Sequence, residues 1–316
     1  MNSKFVFVTA GSENYLPGLI AFFNSLIANS HNDDVILCSF RLPEKFLKKL
    51  EELPYQVRVI AMEGNDQAQE TAISRFKIAA ELGKDYDSIC LVEGDIFLTA
   101  NVNTFFEAGK RGMIITGSNG MIVNLNKGYQ QQYNIDLGTD YFPYPKVHTT
   151  VPIFLGKDDL DWFEKFYNGR MNTRSFDDVF GLNALGIKMG KSERMICLPP
   201  TTFTQIHHFG IKPVTHLMKK ENMILDGFEQ QVYMVHGKYF DKGWYTGLMD
   251  PMWGFFRDNG FLEKRHEEIA LQTRDILMKE FLRYCYNPQF TLKEFQTIEW
   301  LEEKANELGI PIIFNS

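Results

Sequence analysis

The sequence predicts an α/β fold: a mostly parallel sheet flanked by helices, followed by a C-terminal helical extension. Two observations carry the sheet. Short apolar runs alternate with helical segments through the first hundred residues. Those runs are apolar on consecutive residues, as strands covered on both faces are. A third observation carries the extension: from about Gly260 onward the pattern is almost wholly helical.

The elements follow in order. Lys4–Thr9 (KFVFVT) is a short β-rich run that breaks at Ala10-Gly11-Ser12. A helix then runs from about Tyr15 to Ala28. Asp34–Phe40 (DVILCSF) is the second strand, Pro43–Leu53 a charged helix, and Gln56–Ala61 (QVRVIA) the third strand. Gln67–Leu82 places small and apolar residues at helical spacing, and Ser88–Val92 (SICLV) is the fourth strand, bounded by Gly94. After a short helix over Asn101–Gly109, Met113–Thr116 and Gly120–Asn124 read as two strands parted by the turn cluster Gly117-Ser118-Asn119. Lys127 to Val147 reads as a long irregular segment, the kind that is usually functional. Lys157–Phe166 and Phe176–Leu185 read as helices, Met195–Leu198 and Gln231–His236 as strands. LEKRHEEIALQTRDILMKEFLRYC and TLKEFQTIEWLEEKANELG are the closing helices. The division is residues 1–259 as the α/β unit and 260–316 as the extension.

Composition narrows the function. The 316 residues are 44% hydrophobic and 23% charged, which is ordinary for a folded chain. The 27 Phe residues read mostly as core. A formal charge of −7 argues against nucleic-acid binding, which needs a basic footprint. Cys38, Cys90, Cys197 and Cys285 form no CxxC pair and read as reduced core thiols of a cytoplasmic protein. The N-terminal apolar run is too short for a signal-peptide core or a membrane span, and no segment reaches the ~18 apolar residues of a span. The expectation is a soluble chain, cytoplasmic and either free or peripheral at a membrane.

Ligands of such sheets bind outside the carboxyl ends of the strands, so the residues after Thr9 and after Val92 share one rim. Glu93-Gly94-Asp95 lies there. Two carboxylates one residue apart can turn toward one ligand if Gly94 lets the chain bend. Their oxygens suit Mg²⁺ or Mn²⁺, which can bridge diphosphate oxygens. Acid-Gly-acid is also a common polar turn, and the neighbouring Arg75 and the apolar segment after the acids favour the ligand reading. His236, at the end of VYMV, can add a nitrogen ligand to a metal already held by carboxylates, and Lys242 can contact a diphosphate. Trp244 can wall a sugar pocket. On the first rim, Thr9, Ala10 and Gly11 let backbone approach a flat base, while Asn14 and Tyr15 can hydrogen-bond and stack. The plainer reading makes Ser12 or Asn14 a helix cap, and both can hold together.

These islands carry a resemblance. SRFKIAAELGKDYDSICLVEGDIFL, Ser74 to Leu98, resembles the segment around the metal-binding Asp-x-Asp motif of family 8 glycosyltransferases, the glycogenin-like and lipopolysaccharide-galactosyltransferase-like GT-A enzymes. Glu93 stands where that motif has its first Asp. The opening Phe7-Val8-Thr9…Asn14-Tyr15 looks like the family's nucleoside-holding start. His236, Lys242 and Trp244 keep the spacing of the family's HxxGxxKPW motif, with Tyr239 for the middle Gly and Gly243 for Pro. His208-Phe209-Gly210-Ile211-Lys212 is a shorter echo of the same motif. The resemblance spans roughly Lys4 to Trp244.

It implies a GT-A catalytic domain over 1–259 that moves a hexose from a UDP-sugar, with retention of configuration. It implies Mn²⁺ (or Mg²⁺) held by Glu93, Asp95 and His236, with Arg75 and Lys242 on the donor diphosphate. Asp177 and Asp178 match only in part the acidic segment that contacts donor sugar or acceptor. If either is a general base, inversion follows instead; the plain alternative is that two acids suit a helix start. The acceptor is a glycan, a lipid-linked sugar or a protein, and a second copy of the chain is a candidate partner through the C-terminal helices. Neither GxGxxG nor GxxxxGK[ST] is present, which argues against dinucleotide oxidoreductases and P-loop enzymes. Two rivals stay open: a metal-dependent sugar nucleotidyltransferase, and a relative that binds nucleotide or glycan without turnover.

Overall fold

The computed structural model describes residues 4–63, 68–124, 143–147, 152–173, 180–198, 202–205, 216–219, 222–225, 228–237, 264–287 and 290–313. The first half of the chain alternates β1 (Phe5–Ser12), α1 (Leu16–Ala28), β2 (Asp34–Phe40), α2 (Glu44–Leu50), β3 (Val57–Ala61), α3 (Ala68–Leu82) and β4 (Ser88–Leu91). Next come β5 (Ile96–Leu98), α4 (Asn103–Lys110), β6 (Ile114–Asn124), β7 (Pro143–Val147), β8 (Ile153–Gly156), α5 (Leu160–Thr173) and α6 (Phe180–Lys188). The strands β9 (Met195–Leu198), β10 (Phe203–Gln205), β11 (His216–Lys219), β12 (Asn222–Leu225), β13 (Phe228–Gln231) and β14 (Met234–His236) follow. The chain closes with α7 (Lys264–Cys285), the hairpin β15 (Tyr286–Asn287) and β16 (Phe290–Thr291), and α8 (Glu299–Glu307).

The main sheet runs β3-β2-β1-β4-β8-β6-β7, with β9 also paired to β6. Strands β3, β2, β1 and β4 are mutually parallel, as consecutive crossover connections require. From β4 onward the pairings β4-β8, β8-β6 and β6-β7 are antiparallel, and β9 is parallel to β6. Both faces of the sheet are covered. Phe5 and Phe7 point into a core with α1, α2, α4 and the C-terminal elements. Val6 and Val8, one residue out of phase, point into a second core with α3, α5 and Leu182 of α6. The phenylalanines fill these layers: Phe7 meets Phe22 and Phe106 edge-on with ring centres at 5.8 and 4.9 Å.

A second sheet, β10-β14-β5, holds the site in place. Strand β5 is clamped on its other side by α1. Leu98 N donates to Ser25 Oγ at 2.9 Å, and Asn29 Nδ2 donates to Leu98 O at 3.1 Å. The C-terminal elements join the same core: Leu277, Phe281, Tyr286, Phe290 and Leu301 are buried in it. Asn24 of α1 ties them down, its Nδ2 donating to Tyr284 O and Phe290 O, each at 2.6 Å.

Four departures from the expected elements have physical causes. Strand β1 does not break at Ala10 but runs to Ser12, because Ser12 still pairs with Phe40 of β2. The Gly117-Ser118-Asn119 cluster does not end a strand. It lies in an unbroken β6, whose register against β7 shifts between Ser118 and Ile122, as at a bulge. The supposed irregular stretch contains β7, whose Pro143 and Pro145 are tolerated because the strand lies at the sheet's edge. The last helix starts at Glu299, not near Thr291. Ile298 just before it is extended, and Phe290–Thr291 form a strand instead. All four cysteines are free: Cys38, Cys90 and Cys285 are buried and Cys197 is partly so. Among the described residues no helix is long and apolar enough to cross a membrane.

Candidate metal and donor site

The acidic turn follows β4 at the carboxyl end of the parallel strands. Val92 N donates to Val8 O at 3.0 Å, so the chain leaves the sheet beside β1. Gly94 is required there: a Cβ on it would lie 2.6 Å from Ala10 O. Gly18, in the first turn of α1, is required in the same way. Its Cβ would lie 2.5 Å from Gly94 O and 2.8 Å from Asp95 Cα. Two glycines thus let the turn seat directly on the end of β1 and the start of α1. Gly11 makes a third close approach, where a Cβ would meet Leu19 at 2.7 Å.

His236 is 143 residues away from Glu93 in sequence and is delivered by the small sheet. Strand β14 pairs antiparallel with β5, and the register sets His236 opposite Ile96. Gly237 N then donates to Asp95 O at 3.2 Å. A one-residue slip would turn the imidazole to the other face.

The result is a compact cluster. His236 Nε2 lies 3.1 Å from Glu93 Oε2 and 3.2 Å from Asp95 Oδ1. The Asp95 contact is an ion pair, and among the described residues the buried Asp95 Oδ1 has no directed hydrogen bond. Asp95 is 3% and His236 7% exposed. Arg75, on α3, donates from Nη2 to Glu93 Oε1 at 2.7 Å and from Nη1 to Val92 O at 3.2 Å. Burial alone would raise the Glu93 carboxyl, but the Arg75 guanidinium and then His236 outweigh it and hold it at about 2. Burial alone would lower the His236 ring, but Asp95 and Glu93 reverse that and push it up to about 10. Tyr15 is raised by burial first and then by the two carboxylates. Two carboxylates are thereby balanced by a guanidinium and an imidazolium.

The residues present fit a divalent cation. Glu93, Asp95 and His236 offer two carboxylate oxygens and an imidazole nitrogen, all within 4.8 Å of one another. The Asp95 oxygen that lacks a directed hydrogen bond is a ligand atom in waiting. Ligation requires His236 to give up its ring proton, so binding and deprotonation are coupled.

The remaining predicted residues distribute as follows. Thr9, Ala10 and Gly11 lie within β1 and are covered, and the Thr9 hydroxyl is buried without a hydrogen-bond partner among the described residues. Asn14 is exposed and Tyr15 half-buried on the short turn that opens α1. Arg75 is buried, 1% exposed, and is directed onto Glu93. Lys242, Trp244, Asp177 and Asp178, with the His208–Lys212 echo, lie outside the described residues. Sequence reasoning missed Gly18. The signal was a glycine near the start of an otherwise apolar helix, LPGLIAFF, which often marks a close approach.

No family model matches the sequence, and no curated protein sequence is similar to it. Solved structures do share its fold. The galactosyltransferase LgtC, in complex with donor and acceptor sugar analogues, superposes with a TM-score of 0.50 at 14% identity, over 84% of this chain and 95% of that one. An active-site mutant of LgtC gives 0.52 at 13% identity, over 84% and 99%. The bifunctional glycosyltransferase WbbM in its apo form gives 0.49 at 15% identity, over 87% of this chain and 52% of that one. The chain therefore spans about half the length of WbbM. The likeness to LgtC, over 84% of this chain and nearly all of that one, shows that this chain, whose carboxylate turn lies at the end of β4, has the GT-A fold expected from the sequence.

Proposed function

We propose that the chain is a metal-dependent glycosyltransferase of the family 8 type, moving a hexose from a UDP-sugar to a glycan, lipid-linked or protein acceptor. One observation carries the reading: Glu93, Asp95 and His236, from two distant parts of the chain, converge at the carboxyl end of β4. A polar turn that merely ended a strand would not need a buried histidine brought 143 residues to meet it. Support for a sugar donor and acceptor comes from LgtC, which was solved with analogues of both.

In this reading Glu93, Asp95 and His236 hold Mn²⁺ (or Mg²⁺). When bound, the ion supplies Lewis-acid neutralisation of charge on the departing diphosphate. The chain's own residues do the rest. Asn14 and Tyr15 face the nucleoside from the start of α1. Gly18 and Gly94 hold the turn against the sheet so that Glu93 and Asp95 keep a fixed spacing. Lys242 grips the phosphates and Trp244 walls the sugar, as the motif resemblance implies. Asp177 and Asp178 are assigned to the acceptor end, and retention of configuration is taken from the resemblance. The free thiols agree with a cytoplasmic place.

The test is UDP release from a panel of UDP-sugars with Mn²⁺, with and without EDTA, on wild type and Asp95→Ala. Slow hydrolysis of one donor, abolished by EDTA and by Asp95→Ala, is the expected result. Equal turnover in EDTA, or in Asp95→Ala, would remove the metal from the reading. Pyrophosphate release from a nucleoside triphosphate and sugar phosphate would replace transfer with nucleotidyl chemistry.

A further inference from the structure

We infer that Arg75 is a positioning residue of the metal site, acting through Glu93, so that Glu93 presents one oxygen, Oε2, to the ion. This deepens the reading above and rests on it. The arginine's fork spans two adjacent residues: Nη1 donates to the carbonyl of Val92 and Nη2 to the carboxylate of Glu93. The backbone and the side-chain tip of the turn's first acid are thus tied to one rigid planar group. Arg75 is itself fixed, 1% exposed on α3, with its guanidinium carbon 5.5 Å from the centre of the Phe76 ring. Oε1 is committed to Arg75 at 2.7 Å, and Oε2 is left toward His236 at 3.1 Å.

The geometry explains how a glutamate serves at this place. Glu has one more rotatable bond than Asp, and a loose carboxylate loses ligand affinity to side-chain entropy. A donor behind the ligand that fixes the carboxylate removes that loss, and such partners are typically worth ~10–100-fold in metal affinity. The guanidinium charge works the other way, because a cation beside the site repels Mn²⁺. Arg75 therefore helps by orientation and opposes by charge, and the two roles predict opposite outcomes when the charge is removed.

The experiment is titration of the full-length chain with Mn²⁺ alone, free ion followed by electron paramagnetic resonance, without any nucleotide. Arg75→Gln removes charge and fork; Arg75→Lys keeps the charge and removes the fork. Both are expected to weaken Mn²⁺ binding about tenfold or more. In a Glu93→Ala background the same substitutions are expected to change affinity less than about twofold, the signature of acting through Glu93. Thermal melts in EDTA report whether each variant is folded, and Arg75→Gln, short and neutral, serves if the buried lysine is not tolerated. Tighter binding by Arg75→Gln, unchanged binding by Arg75→Lys, or equal losses with and without Glu93 would each overturn the assignment. If wild type and Asp95→Ala bind Mn²⁺ alike, the metal reading itself fails, and the Arg75 assignment with it. If Asp95→Ala loses binding and the Arg75 variants do not, only the Arg75 assignment fails.

Discussion

Gly18→Ala sets two effects against each other, and the structure decides the sign. Alanine in a helix is favoured over glycine by roughly 0.5–1 kcal/mol. On propensity alone the variant should be more stable. The added methyl, however, would sit 2.5 Å from Gly94 O, 2.8 Å from Asp95 Cα and 3.1 Å from Asp95 Cβ. Backbone atoms cannot rotate aside, so helix or turn must retreat by about 0.7 Å to reach ordinary carbon contact near ~3.5 Å. Overfilling a packed contact costs about 1–3 kcal/mol, which exceeds the propensity gain. The net expectation is a loss of about 0.5–2 kcal/mol. Urea unfolding in EDTA measures it independently of any metal. A second readout is Mn²⁺ affinity, expected to fall because the turn carries both carboxylates. A variant as stable as wild type or more so, with unchanged Mn²⁺ affinity, would show that α1 and the acidic turn are not locked together.

Three further outcomes follow from the same geometry. Asn24→Ala strips hydrogen bonds from the part-buried Tyr284 and the buried Phe290 carbonyls, and with ~1–3 kcal/mol for the buried group left unpaired it should cost at least about 1–3 kcal/mol by urea unfolding; a loss below ~0.5 kcal/mol would mean that water replaces both bonds. Asp159, buried, pairs with both Lys191 and Arg194, and Asp159→Ala leaves the buried Lys191 with Asp161 alone; since removing one partner of a buried ion pair costs ~3–5 kcal/mol, the surviving partner should reduce this to about 2–3 kcal/mol, and a neutral result would refute a structural role for these ion pairs. Mn²⁺ at a hundredfold over its Kd should stabilise wild type by about 2.7 kcal/mol and leave Asp95→Ala unmoved, so equal shifts in the two would place the ion elsewhere.

Legibility in the sequence follows the range of the interactions. Strands β1, β2 and β4 were readable because parallel strands covered on both faces are apolar at every residue. Strand β8 is hard to read because IFLG is only four residues long and shows no alternation, although Pro152 and Gly156 bound it. Glu93, Asp95 and His236 were found as separate motif fragments, and their meeting depends on the β5-β14 register, which no local window contains. Ala10-Gly11-Ser12 looks like punctuation in the sequence, yet β1 runs through it. The missing side chain at Gly11 in fact makes room for Leu19, while backbone pairing carries the strand on to Ser12. Arg75 is legible in the sequence as a donor contact through the motif resemblance alone. Its grip on Glu93 depends on how α3 packs beside β4, which is a tertiary fact.

Helix α1, with the Asn29 that follows it, serves three neighbours at once: the acidic turn through Gly18, strand β5 through Ser25 and Asn29, and the β15-β16 hairpin through Asn24. Each of these positions admits almost one side chain, for a different reason: no Cβ, a short hydroxyl, an amide. A helix so constrained has few neutral substitutions left. Over long divergence it should drift more slowly than the strands it touches, whose apolar residues can exchange among Val, Ile and Leu at modest cost. For protein engineers the same fact sets an order of work. Exchanges of the closing segment between related chains should keep Asn24 and the backbone path of the hairpin, since the amide bonds two main-chain carbonyls that a change of side chains leaves in place and a shift of the hairpin would not.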